Sequence, residues 1–238
     1  MIAENIIYVQ DRITAACRRA GRSPEEVTLV AVSKTKPVSD ILQAFECGIT
    51  NFGENRLEEA AQKLPDLAGQ ALRWHMIGHV QSRKSDEVAA LGFHLIHSLD
   101  SVKLARRYSR FAVAKGITLP VLLEVNVSGE ATKSGWIAYN WEKDDAVRLT
   151  LWHDIEVVLT LPGLDVQGLM TMAPIVENME ETRPVFQSLA ALRNNLKQTF
   201  PDRNWQHLSM GMTDDFDVAI EEGATLVRIG RAIFGERE

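Results

Sequence analysis

The chain has 238 residues, 45% of them hydrophobic and 24% charged, which suits one large domain or two small ones. Its formal net charge of −6 leaves no basic excess to displace phosphate counterions, and that argues against non-specific nucleic-acid binding. Cys17 and Cys47 offer neither a disulfide framework nor metal-type spacing, no secretory signal opens the chain, and no run reaches membrane-spanning length, so a soluble cytoplasmic protein is expected.

Apolar residues at Ile2, Ile6, Val9, Ile13 and Ala16 recur at steps of three and four and predict a helix over 2–20, stopped at Gly21. Ser23-Pro24-Glu25-Glu26 reads as a capped turn leading into the apolar run Val27 to Val32, the signature of a strand covered on both faces. Lys34 arrives where that strand should end, and Pro37 suits the first position of a helix ending at Gly48. From there the theme repeats. Strands are expected at 50–52, 72–77, 93–98, 120–127, 165–170, 205–209 and 226–229, and a helical segment follows each. Eight β-then-α units predict an α/β fold, a (β/α)8 TIM barrel, as one domain spanning 1–238 with an extra N-terminal helix. The rival doubly wound sheet usually has fewer strands and a glycine-rich first turn, and no such motif occurs here.

In such a barrel the functional groups gather where strands end. Those ends offer Lys34, Asn55, His75 with Gly78, Asn126, Met170 with Thr171, Ser209 to Met212, and Arg228 to Arg231. A lysine at the mouth of a buried strand is an unusual place for a charge, because desolvation lowers an ammonium's pKa and exposes a nucleophilic amine. The bland alternative is a lysine snorkelling from the rim. Gly211 and Gly230 would let backbone amides approach an anion, and Ser209 could add a hydroxyl. Asp214, Asp215 and Asp217 lie close by and would repel a phosphate if they faced it; their position after Thr213 suits helix capping instead. Arg228 stands two residues before Gly230 and shares its side of the strand; if that side faces the interior, the arginine can keep a pyridine nitrogen unprotonated, the alternative being an arginine paired with a buried carboxylate. Lysine, phosphate cradle and interior arginine together specify pyridoxal phosphate (PLP) better than any one alone.

Seven segments carry a resemblance: Ala31-Val32-Ser33-Lys34-Thr35-Lys36, Asn51-Phe52-Gly53-Glu54-Asn55, Trp74-His75-Met76-Ile77-Gly78, Lys133-Ser134-Gly135, Gly168-Leu169-Met170, Leu208 to Asp215 and Val227-Arg228-Ile229-Gly230. The chain resembles the pyridoxal phosphate homeostasis proteins, single-domain relatives of the alanine racemase N-terminal barrel. The resemblance implies a fold-type III barrel with Lys34 as the Schiff-base lysine. It places phosphate on Ser209 and amides near Gly211, Gly230 and Arg231, Arg228 at the ring nitrogen, and Asn55 and His75 near the ring. The candidate cofactor-binding set is Lys34, Asn55, His75, Met170, Ser209, Gly211, Met212, Arg228, Gly230 and Arg231. No catalytic residue is assigned, and His75 and His79 lack the third ligand a metal site needs. Between Gly135 and Leu161 the chain departs from the family pattern, with Trp136, Tyr139, Trp141 and Trp152 in a longer aromatic segment whose simplest role is packing.

The favoured function is a non-catalytic carrier that buffers or delivers PLP within the cell, with PLP-dependent apoenzymes as possible recipients. The alternative is a PLP-dependent amino-acid racemase, which needs a second acid/base group opposite the lysine. Racemases resembling this barrel take that tyrosine from a C-terminal domain. The sequence ends at Glu238, just after the eighth unit, and Tyr8, Tyr108 and Tyr139 do not sit at strand ends, so the carrier is expected. An aldolase-type barrel binding a sugar phosphate explains Arg228 poorly. Lys36 reads as a solvated residue and Lys133 as a loop lysine. No large apolar stripe demands a dimer, and a monomer is expected.

Overall fold

A computed structural model describes residues 1–236; Arg237 and Glu238, the end of the expected 1–238 domain, lie outside the described residues. The elements in chain order are α1 (Ile2–Arg19), β1 (Thr28–Val32), α2 (Val38–Glu46), β2 (Asn51–Glu54), α3 (Leu57–Asp66), β3 (Arg73–Met76), α4 (Ser85–Ala90), β4 (Leu95–Leu99) and α5 (Val102–Lys115). They continue through β5 (Leu119–Asn126), β6 (Trp136–Ile137), α6 (Asp145–Thr160), β7 (Leu164–Met170), α7 (Arg183–Thr199), β8 (His207–Ser209), α8 (Phe216–Glu221), β9 (Leu226–Ile229) and α9 (Arg231–Phe234). Neighbours pair in parallel in the order β4-β3-β2-β1-β9-β8-β7-β5, and β5 pairs with β4 to close the ring. The eight-stranded barrel is therefore the observed fold, with helices between its strands and α1 added at the start. Among the described residues, no helix is long and apolar enough to cross a membrane.

Period two along each strand sorts its side chains into two layers. Val30, Leu95, Leu122, Met170 and Leu226 meet inside the barrel as one small cluster. The larger apolar layer lies between strands and helices, where Ala31, Phe52, Trp74, Met76, Val121 and Val227 pack against helix residues. The α1 stripe buries Ile6, Val9, Ile13, Ala16 and Cys17 against α2, α8 and α9, worth roughly 1.5–3 kcal/mol for each of its three branched residues. Asn5 anchors it by donating to the Ile233 carbonyl (2.9 Å).

Three local expectations change. Pro37 occupies the cap position before α2 rather than its first turn, which still spares the helix a donor that proline lacks. The predicted polar helix after β3 splits into a 3-10 turn (Ser82–Lys84) and the short α4. The aromatic segment contains the unpredicted β6, which adds to the end of β5 at Val125 and Asn126. Its aromatics pack: the Trp136 indole donates to Asp154 (3.1 Å), that of Trp141 donates to Ser188 (3.1 Å), and Trp141 stacks on Trp152.

Candidate functional site

The carboxyl ends of the strands build the candidate site. Lys34 is half-buried just past β1, and its flanks are clamped. The Ser33 hydroxyl donates to the buried Glu54 carboxylate (2.8 Å), and the Lys63 ammonium donates both to that carboxylate and to the Ser33 carbonyl (2.8 Å each). On the other side Thr35 adopts φ +63°, a costly conformation for a β-branched residue, and Glu59 holds it by accepting its N–H (2.7 Å). Burial pushes the Glu54 carboxyl up while Lys63 and Ser33 pull it back. Sequence reasoning missed Glu54, Glu59 and Lys63. The available signal was the i, i+4 spacing of Glu59 and Lys63 on α3, the helix following β2.

Across the barrel, Gly211 and Gly230 hold two adjacent loops, joined by the Arg228 N–H donating to the Gly211 carbonyl (3.0 Å). At Gly211 φ is +90°, and a Cβ would lie 2.6 Å from that of Ala219, so only glycine fits. The backbone N–H groups of Gly211, Thr213, Gly230 and Arg231 have no acceptor among the described residues, and together they can cradle an anion. Met212 does not join them, because its N–H donates to Asp215 (2.6 Å). The neighbouring carboxylates turn away: Asp214 pairs with the Arg231 guanidinium and Asp217 with Arg12. Asp215 stands at the α8 cap position, but its side chain bonds back to Met212 instead of capping the helix, which changes the predicted role. Burial raises its pKa against that bond.

Arg228 lies inside the barrel, 5% exposed, as strand parity with Leu226 requires. It donates to Ser209 Oγ (2.5 Å) and to the Thr171 carbonyl (2.9 Å). Burial holds its pKa down at about 10, opposed by Asp215 and Glu124. Only some of its five N–H donors are used by these two bonds, so it can still present one to a ligand.

Beyond Ser209 a chain of hydrogen bonds crosses the interior. Ser209 Oγ meets His97 Nδ1 (2.8 Å), His97 Nε2 meets His75 Nδ1 (2.9 Å), and His75 Nε2 meets Asn51 Oδ1 (3.0 Å) at the start of β2. The Asn51 amide nitrogen points to Thr50 Oγ1 (3.3 Å), which leaves its oxygen toward His75. Burial, then the neighbouring positive groups, press His75 down to about 3 and His97 well below its usual value, so each ring carries one proton at neutral pH. Asn51 Oδ1 can only accept, and that sets the whole direction: His75 donates to Asn51, His97 to His75, and Ser209 to His97. The Ser209 proton thus points away from the two loops. Its hydroxyl is fully buried, 2.8 Å from His97 Nδ1. Thr213, half-buried, is the hydroxyl on these loops with no partner among the described residues.

His75, expected near the ring, is 1% exposed and bonded to Asn51 at the start of β2. Met170 faces the interior cluster. Asn55 follows β2 with a buried amide oxygen that has no partner among the described residues, an acceptor awaiting a donor. Arg231 offers only its backbone, since Asp214 and Glu236 (3.5 Å) take its side chain. Lys133 reaches the Ala173 carbonyl (3.4 Å) and Glu130 (3.7 Å), and Lys36 the Glu236 carbonyl (3.1 Å).

Glu124, on the same face of β5 as Leu122, was missed altogether. It is 3% exposed, its Oε2 has no partner among the described residues, and burial with Asp100 nearby lifts its pKa to about 7 despite Arg228. From 4.5 to about 7 the folded state holds a proton that the unfolded chain has released, so this group makes stability fall as pH rises through that window. Glu124→Gln is expected to flatten the fall, read as the difference in urea midpoint between about pH 5 and about pH 8. Parallel profiles for both proteins would show that Glu124 does not titrate there.

A family model described as the alanine racemase N-terminal domain matches residues 9–238. The pyridoxal phosphate homeostasis protein of Pseudomonas aeruginosa is 44% identical over 237 residues, covering 100% of this chain and 96% of that one. The homonymous protein of Aquifex aeolicus is 42% identical over 235 residues, covering 99% and 98%. The chain belongs to the pyridoxal phosphate homeostasis protein family. Among solved structures, PipY of Synechococcus elongatus with PLP bound is 33% identical and superposes with a TM-score of 0.81, covering 99% of this chain and 100% of that one. Family membership agrees with the strand-end geometry around Lys34, Gly211, Gly230 and Arg228.

Proposed function

We propose that this protein binds PLP at the carboxyl end of its barrel and buffers or delivers it inside the cell, without robust turnover of its own. The carrying observation is the pair of loops whose Gly211, Thr213, Gly230 and Arg231 amides have no acceptor among the described residues, set against a buried Arg228 with donors to spare. These donors fit a phosphate and a ring nitrogen. PipY, a relative over the whole chain, has been solved with PLP bound. When bound, PLP supplies an aldehyde that an unprotonated amine captures reversibly.

In this reading the Lys34 amine holds the cofactor, steadied by the Glu54–Lys63–Glu59 clamp on either side. Arg228 faces the ring nitrogen, Thr213 takes the hydroxyl role first assigned to Ser209, and Asn55 offers its amide oxygen near the ring. Ser209 and His75 act beneath the site, through Arg228. Met170 supplies an apolar wall. The barrel with its N-terminal helix works as one domain and as a monomer, and PLP-dependent apoenzymes are the recipients. Tyr8 and Tyr139 are exposed, at 58% and 51%, and Tyr108 is buried within α5, and the carrier reading assigns none of them as a second acid/base.

The test is a visible absorption spectrum of the purified protein supplied with PLP, followed by borohydride reduction and peptide mass spectrometry. A yellow protein with a reduced pyridoxyl group on Lys34, lost in Lys34→Ala, is expected. Racemase assays on the same sample should show no turnover. A protein that stays colourless would overturn the cofactor reading, and efficient racemisation would overturn the carrier reading.

A further inference from the structure

Helix α5 is electrostatically set against itself. Its sequence, Val102 to Lys115, holds five cations and no carboxylate, in a chain with 32 acidic and 26 basic residues. Lys103 sits in the first turn, where the helix dipole favours anions. Lys103 with Arg107 and Arg106 with Arg110 are like-charge pairs at i, i+4, and Lys103 with Arg106 and Arg107 with Arg110 are such pairs at i, i+3, all of which oppose helix formation. None of these four cations has an ion pair or hydrogen bond through its side chain among the described residues. Elsewhere Arg12, Arg19, Arg148, Arg183 and Arg231 each meet a carboxylate.

The same four cations line a groove of about 740 Å³ with Val102 and Leu161 as apolar lining. Ser109 contributes no free hydroxyl, because it donates to the Pro162 carbonyl (2.7 Å). The size falls in the usual range for a small-molecule site. Three guanidiniums offer the forked donors that suit phosphate oxygens. From Lys103 to Arg110 the helix rises about 10 Å, which matches the reach of a polyphosphate with its sugar.

We propose that this groove is a binding site for an organic polyphosphate of nucleotide type, its phosphates on Lys103, Arg106, Arg107 and Arg110 and its ring against Val102 and Leu161. The site lies on the outside of the barrel and is independent of the cofactor reading. A bound polyanion offsets a repulsion that no ion pair among the described residues relieves.

The test titrates ATP into the full chain, followed by calorimetry and by amide chemical shifts of α5, with Arg106→Gln/Arg110→Gln as the variant. Saturable binding that weakens about tenfold or more in the variant is expected. Without ATP the variant should unfold at a higher temperature than the parent, since three of the four like-charge pairs are removed. Addition of PLP should leave ATP affinity unchanged. No saturable binding at millimolar ATP would overturn the proposal, as would equal affinity in the variant, a variant less stable than its parent, or competition with PLP. Inorganic tripolyphosphate binding as tightly as ATP would overturn the nucleotide class, and a short single-stranded RNA binding far more tightly would replace it with nucleic acid.

Discussion

His97→Leu is expected to lower the free energy of unfolding by about 2–6 kcal/mol, because it strands two buried groups at roughly 1–3 kcal/mol each. Leucine nearly fills the ring's volume, so the loss comes from hydrogen bonds rather than a cavity. The stranded groups are Nδ1 of His75, which loses its donor, and the Ser209 hydroxyl, which loses its acceptor. His97→Gln can restore both, donating to His75 through its amide nitrogen and accepting from Ser209 through its oxygen. It should recover at least half the loss. Chemical denaturation of the three proteins checks this, and equal losses for Leu and Gln would show that ring volume, not the bond chain, is what matters. A spectroscopic arm reads the site itself. With Ser209 free to rotate, Arg228 loses a fixed acceptor, and the absorption of bound PLP should shift in His97→Leu but not in His97→Gln.

Gly168→Ala is expected to cost about 3 kcal/mol or more, or about 6–12 °C in Tm for a protein of this size. Gly168 in β7 has φ +150°, and a Cβ there would stand 2.0 Å from the His207 carbonyl oxygen of β8. That neighbour is backbone and cannot swing aside, so β8 itself must move, and a side chain is strained at this φ in any case. Gly168 is registered with His207 and Met170 with Ser209, so a displaced β8 carries Ser209 away from His97 and Arg228. The variant should therefore lose PLP affinity as well as stability. A thermal melt with an unchanged midpoint would show that β8 yields at little cost.

Both effects concern residues whose importance was unevenly legible. Lys34, Gly211, Gly230 and Arg228 were readable because each sits at a strand end, where period two and the βα repeat place it without long-range information. The clamp on Lys34 was not readable, since Glu54 and Lys63 reach Ser33 only when β2 and α3 pack beside β1. The net charge of −6 likewise concealed α5, because a sum over the chain erases a local run of cations.

The order of strands and helices and the closed barrel follow from local patterns of apolar residues, and the sequence alone determined them. Only the tertiary structure decided which polar groups meet inside. Parity tells which side a residue faces but not its height in a staggered barrel, and height decides that His75 meets His97, 22 residues away, while His97 meets Ser209, 112 residues away. The same three-dimensional matching joined the Ser209 hydroxyl to His97 and took the Met212 amide for Asp215. A hydrogen bond needs its partner within about 3 Å, and no pattern along one strand fixes that distance to another.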